Sequence, residues 1–206
     1  MPPAPTSALN PLALAIVALA GYVDAVTFRQ FGGVYVSFMS GNTTALGVVA
    51  AETNWAQAGL LAMVILLFVL GVATGTWLYR HGGSRPATRM LLIVSAMLVL
   101  GAVMPLPLGL LALSMGMLNA SVHQSSPSPL SLTYVTGTLV KVGVGLADRL
   151  SGQPWPVGWG AQALSWLALA LGALAGGTLW PLLGLGELLP AAAAALVLAL
   201  LARRGE

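Results

Sequence analysis

Gly21-Tyr22-Val23-Asp24-Ala25, followed by Ser37-Phe38-Met39-Ser40-Gly41-Asn42 and Gly47, returns in altered form as Gly116-Met117-Leu118-Asn119-Ala120, Thr133-Tyr134-Val135-Thr136-Gly137-Thr138 and Gly143. The offset is 95 residues at the first glycine and 96 at the later two, so one inserted residue aligns three glycines with three glycines. It also aligns Asp24 with Asn119, Ser37 with Thr133 and Ser40 with Thr136. Small polar residues matched between matched glycines point to an internal duplication. Duplicated halves are a common construction of membrane transporters.

Composition places the chain in lipid. Of 206 residues, 58% are hydrophobic and 6% charged, with a mean hydropathy of +0.91. A soluble domain carries about a quarter charged residues. The net charge of +3 rests on eight Lys and Arg, which reads as an orientation signal and gives no basis for nucleic-acid binding. The absence of cysteine excludes disulfides, cysteine-ligated zinc and thiol catalysis. No pattern calls for a cofactor or a metal.

A charge at the bilayer centre costs about 2.5 to 3.5 kcal/mol on insertion scales, so the scarce charges divide the chain. No Asp, Glu, Lys or Arg occurs from Met90 to Val140, a run of 51 residues, whereas one crossing takes about 20. Pro105 and Pro107 split that run by denying a helix its N–H groups. Crossings are expected over 9–28, 60–79, 90–104, 108–123, 158–182 and 188–202. Two segments remain, 34–50 and 130–150, each preceded by helix breakers: Gly32-Gly33 in one case, Ser125-Ser126-Pro127-Ser128-Pro129 in the other. Irregular backbone at membrane depth is tolerated only inside protein or beside a water-filled cavity, so these segments are expected as broken or re-entrant helices facing the interior.

The expected fold is therefore a single all-α, polytopic transmembrane domain over 1–206, with about six net crossings and two broken or re-entrant helices. The first repeat would cover 9–80 and the second 107–183, with extra helices at 90–104 and 188–202. The positive-inside rule puts Arg80, Arg85, Arg89, Arg149, Arg203 and Arg204 in the cytoplasm. An odd number of crossings then separates the copies, which inverts one against the other and leaves both termini inside. Arg29 falls near the outer face and counts against this topology. Eight full spans with a parallel repeat is the alternative, and it would put Arg203 and Arg204 outside.

The run from Gly21 to Phe28, then Phe31-Gly32-Gly33-Val34-Tyr35-Val36-Ser37-Phe38-Met39-Ser40-Gly41-Asn42-Thr43-Thr44 and Leu46-Gly47, resembles the signature of the YoaK-like bacterial membrane proteins, a domain family of unknown function. The likeness extends to chain length, helix number and the second-half Thr136-Gly137-Thr138 with Lys141. It implies a bacterial inner-membrane protein and supplies no activity.

Chemistry must come from the motifs. In inverted-repeat transporters, half-helix N-termini meet near the midplane and point at the substrate. Ser37, Ser40, Gly41, Asn42 and Thr43 of the first copy, with Thr133, Thr136, Gly137, Thr138 and Lys141 of the second, are the expected substrate contacts. Glycine admits close backbone approach, and hydroxyls with free N–H groups can replace the hydration shell of a small anion or polar solute. Asp24, Asn119 and His123 are the candidates for ion coupling, Asp24 foremost because an intramembrane carboxylate is a functional candidate by default. It could equally cap a broken helix or pair with Arg29 or Lys141.

The sequence reads best as a secondary transporter of a small polar or anionic solute, with a channel or a non-transporting scaffold subunit as alternatives. No nucleophile with a base and no ligand cluster can be assembled, so an enzyme is not expected. The Gly71-x-x-x-Gly75 and Gly172-x-x-x-Gly176 faces suit close helix packing, within the subunit or in a homodimer.

Overall fold

The computed structural model describes residues 11–125 and 135–206, and it is helical nearly throughout. Its eight helices are α1 (Pro11–Gln30), α2 (Met39–Ala51), α3 (Trp55–His81), α4 (Pro86–Val103), α5 (Leu108–Ser125), α6 (Val135–Leu150), α7 (Trp159–Leu183) and α8 (Leu188–Gly205). A 3-10 turn over Gly184–Glu187 joins the last two. Five helices are long and apolar enough to cross a membrane, and the apolar stretch Leu108–His123 of α5 is somewhat shorter. This is a multi-pass membrane protein. The prolines that split the long uncharged run act as expected: α4 stops at Val103 and α5 starts at Leu108.

The two remaining helices are short. α2 has 13 residues and α6 has 16, about 20 and 24 Å at the helical rise. α2 also starts later than the expected segment 34–50, because Val34–Phe38 is held as irregular chain. The expected segment 130–150 is described only from Val135 onward.

Packing follows the glycines. A Cβ placed on Gly21 of α1 would strike the backbone of Leu169 in α7, and one on Gly172 of α7 would strike the backbone of Ala18. On the other side of the molecule, a Cβ on Gly116 of α5 would strike the backbone of Phe68 in α3, and one on Gly71 of α3 that of Leu113. Ala18 and Leu113, like Gly21 and Gly116, are 95 residues apart; Phe68 and Leu169, like Gly71 and Gly172, are 101 apart. The α1/α7 contact thus recurs position for position in α5/α3. Within each pair the helices run the same way: Gly71 lies by Gly116 and Gly75 by Ala120, while Gly172 lies by Ala18 and Gly176 by Ala25. Both Gly-x-x-x-Gly faces make close contacts within the subunit.

Helices α4 and α8 pack against each other in opposite directions. The Glu206 carboxylate accepts from Ala87 N–H at 2.8 Å and from the Thr88 hydroxyl at 2.7 Å at one end. Ser95 Oγ donates to Ala192 O at 2.8 Å further along, and Gly101 faces Leu188 at the other end. Arg85 and Arg89 therefore share an end of the bundle with Arg203 and Arg204. The core lies where α1, α4, α5 and α8 meet, around Val23, Leu91, Val94, Leu111, Leu118 and Ala195. The outward sides of α3 and α7 carry exposed Leu66, Val69, Leu171 and Leu174, as lipid-facing surfaces do.

Candidate functional site

The site begins with the end of α1. Gly33 N–H closes on Phe28 O at 2.8 Å, and Gly32 and Gly33 take φ of 62° and 96°, a backbone region that favours glycine. The chain reverses there and runs back alongside α1, where Val34 and Val36 are buried. Asp24 receives it. Its Oδ1 accepts from the N–H groups of Val36 and Ser37, both at 2.8 Å, and its Oδ2 accepts from the Ser37 hydroxyl at 2.5 Å. Three donors converging on one side chain suit a carboxylate, whose oxygens only accept and whose charge strengthens each bond. Asp24 lies six residues before the end of α1, so the returning chain re-enters by about 9 Å before α2 starts.

Asn42 makes a second clamp from within α2. Its Oδ1 accepts from Tyr35 N–H at 3.1 Å and its Nδ2 donates to Tyr35 O at 2.7 Å. This places the Tyr35 ring against Phe28 (centroids 5.0 Å apart) and Phe38 (5.2 Å, edge to face). Gly41 makes the room: a Cβ there would lie 2.5 Å from the Phe38 ring and 3.1 Å from that of Tyr35.

A cavity of about 410 Å³ opens between this loop and the second half of the chain. Its walls are Gly21, Asp24, Ala25 and Phe28 of α1, Tyr35, Ser37 and Phe38 of the loop, Val135, Thr136 and Leu139 at the start of α6, and Leu169 and Ala173 of α7. Carbon dominates the wall. Among the described residues the carboxylate and two hydroxyls are its polar points, with the Tyr35 phenol beside them.

Of the residues proposed from sequence, Asp24, Ser37 and Thr136 come together on this cavity. Gly41 and Asn42 stand behind it and shape its aromatic wall. Ser40 and Thr43 are exposed on α2, and the Thr43 hydroxyl donates to Met39 O at 2.8 Å in its own helix. Thr138 is buried and bonds Val135 O at 2.6 Å; Gly137 is beside it, and Lys141 is exposed one turn further along α6. Asn119 is buried in α5, with an Nδ2 that has no partner among the described residues. His123 is exposed near the end of the same helix. Thr133 lies outside the described residues. The start of α2 thus has a negative group at hand, supplied by Asp24 of the chain itself.

Two features escaped the sequence reading. The aromatic wall of Phe28, Tyr35 and Phe38 is one; it sat inside the quoted motif, with its spacing hidden by the chain reversal. Glu187 is the other. It is 1% exposed and accepts a 2.6 Å hydrogen bond from the Tyr22 hydroxyl, while its Oε1 has no partner among the described residues.

Comparison with known proteins fixes the lineage. The family model described as "Protein of unknown function (DUF1275)" matches residues 12–201. The chain belongs to the DUF1275 family. It is also 37% identical over 177 residues to the UPF0700 transmembrane protein RA0705 of Rhizobium meliloti (strain 1021), covering 82% of this chain and 74% of that one. No solved structure matches it. The family carries no assigned activity, so its members' chemistry has to be argued from the cavity.

Proposed function

We propose that this DUF1275 protein is a secondary transporter of a small polar solute, which binds in the cavity between the re-entering loop and the start of α6. The observation that carries the reading is the meeting of the loop that leads into α2 and the start of α6, from opposite halves of the chain, on one space beside an intramembrane carboxylate. Solute sites formed where discontinuous helices meet at a repeat interface are a recurring construction of carriers. Of the polar and anionic solutes that the motifs admit, the polar class fits better, because the charge beside the cavity is negative.

An inverted repeat supports alternating access. Buried Val94 of α4 and Ala195 of α8 are 101 residues apart, the offset that also relates α3 to α7, and these two helices pack antiparallel. Equivalent helices that cross in opposite directions belong to copies of opposite orientation. The loop that re-enters by about 9 Å supplies the reason for the inversion: α2 adds no net crossing. The repeat would then comprise α1–α4 and α5–α8, longer than the motifs alone suggest. Both basic clusters share one end, and by the positive-inside rule that end of a bacterial inner-membrane protein is cytoplasmic, with both termini on the same side.

The test is solute counterflow into proteoliposomes across a panel of labelled polar metabolites, amines and organic anions. Saturable exchange that Ser37→Ala and Thr136→Val weaken is expected. Loss of exchange for every solute would overturn the reading, and a rapid dissipative current would make the protein a channel.

A further inference from the structure

We infer that the solute taken by this cavity is a small organic ammonium ion, an assignment that rests on the transport reading and narrows it. Electrostatics comes first. The described wall contains the Asp24 carboxylate and no Lys, Arg or His, so an anion entering it would meet a like charge with no basic side chain in that wall. Lys141, the nearby cation of α6, is not part of the wall.

The type of cation follows from the rest of the lining. A metal ion such as Ca²⁺ seeks six to eight oxygen ligands and Mg²⁺ keeps much of its water, whereas Asp24 already spends its oxygens on Val36, Ser37 and the Ser37 hydroxyl. What the carboxylate can still offer is its field, weakly screened inside protein. An ammonium whose charge is spread over carbon substituents needs a negative field and a surface of carbon, and aromatic rings supply the second through their quadrupoles. Phe28, Tyr35 and Phe38 present three such rings on one side of the space.

The rings are placed by construction. Asn42 grips the Tyr35 backbone from both sides, and the missing side chain at Gly41 leaves the volume that Phe38 and Tyr35 fill. A volume of about 410 Å³ lies in the lower part of the range of small-molecule sites. The Thr136 hydroxyl is available to a polar tail on the ammonium, and Ser37 Oγ, whose proton goes to Asp24, can still accept from one.

The experiment is calorimetric titration of the purified full-length protein with choline and, in parallel, with its uncharged tert-butyl analogue. Saturable choline binding at least tenfold tighter than the analogue is expected. Phe38→Leu, which keeps apolar bulk and removes the ring, should weaken choline about tenfold and leave the analogue nearly unchanged. Asp24→Asn should abolish the discrimination; should that variant fail to fold, Phe38→Leu and the charged-against-uncharged comparison decide alone. Equal binding of the two ligands, or no binding of either, overturns the inference. Counterflow of a neutral or anionic solute without ammonium binding would overturn it while leaving the transport reading intact. Ammonium binding without counterflow of any solute would uphold the site and remove the transport reading.

Discussion

Asp24 and Asn119 occupy matching places in α1 and α5, 95 residues apart and both buried, yet one is a carboxylate that gathers three donors and the other a neutral amide, which cannot carry charge. The surrounding frames are nearly the same. Each of these helices packs through a glycine, Gly21 or Gly116, onto the backbone of the third helix of the opposite half. The difference teaches that close backbone packing and polar chemistry are separable here: the glycine contacts recur in both halves, while charge has been kept at one of the two equivalent places.

The packing side of that comparison should give the largest effects. Gly21→Leu and Gly116→Leu both push a side chain into a backbone that cannot swing aside. Overpacking typically costs 1–3 kcal/mol, and a backbone obstacle puts these at about the upper end or beyond. Both variants are expected to lose the monodisperse peak in detergent chromatography, and to the same degree. Gly47→Leu, where a Cβ meets nothing, should elute as wild type. Tolerance of one of the two buried variants alone would break the equivalence of the α1/α7 and α5/α3 contacts.

Next comes the polar side. Asp24→Leu leaves the N–H groups of Val36 and Ser37 buried without acceptors, at about 1–3 kcal/mol for each. Asn119→Leu removes a neutral amide and no charged acceptor, so its effect should be the smaller of the two. Thermal unfolding in detergent measures both. Similar losses in the two variants would mean that the Asn119 amide is held as firmly as the Asp24 carboxylate.

The sequence carried the frame well because insertion into lipid depends on composition and length. Charge gaps and Pro105/Pro107 located six apolar helices to within a few residues, apart from an early start to α3. The site was less legible, since its geometry depends on a chain reversal. Nothing local to Asp24 says that its partners lie twelve and thirteen residues on, past Gly32-Gly33. Glu187 is a similar case: its partner, Tyr22, is 165 residues away. The fate of the α2 hydroxyls could have been foreseen, because threonine inside a helix commonly bonds back to the carbonyl four residues earlier.

Tyr22 and Glu187 give a smaller effect and a further contrast between halves. Met117, at the place matching Tyr22, has no hydroxyl to offer. Tyr22→Phe deletes the hydrogen bond to a buried carboxylate, worth about 1.5–3 kcal/mol for a charged acceptor. Met117→Leu, a volume-conserving change, should cost less than about 1.5 kcal/mol. A Tyr22→Phe variant as stable as wild type would show that the α1 contact with the 3-10 turn adds nothing to stability.

The smallest effect separates a motif's appearance from its work. Thr43 and Thr44 belong to the most recognisable run of the first half, yet both are exposed and their hydroxyls donate to Met39 O and Ser40 O of the same helix. Replacing both by alanine should change stability by no more than about 0.5 kcal/mol for each residue, and counterflow should be retained, because neither side chain reaches the cavity wall. Ser37→Ala, six residues before Thr43 in the loop that leads into α2 and bonded to Asp24, should weaken counterflow with the fold preserved. The reverse order of effects, with transport lost at Thr43 and Thr44 and kept at Ser37, would move the solute out of this cavity and onto the exposed side of α2.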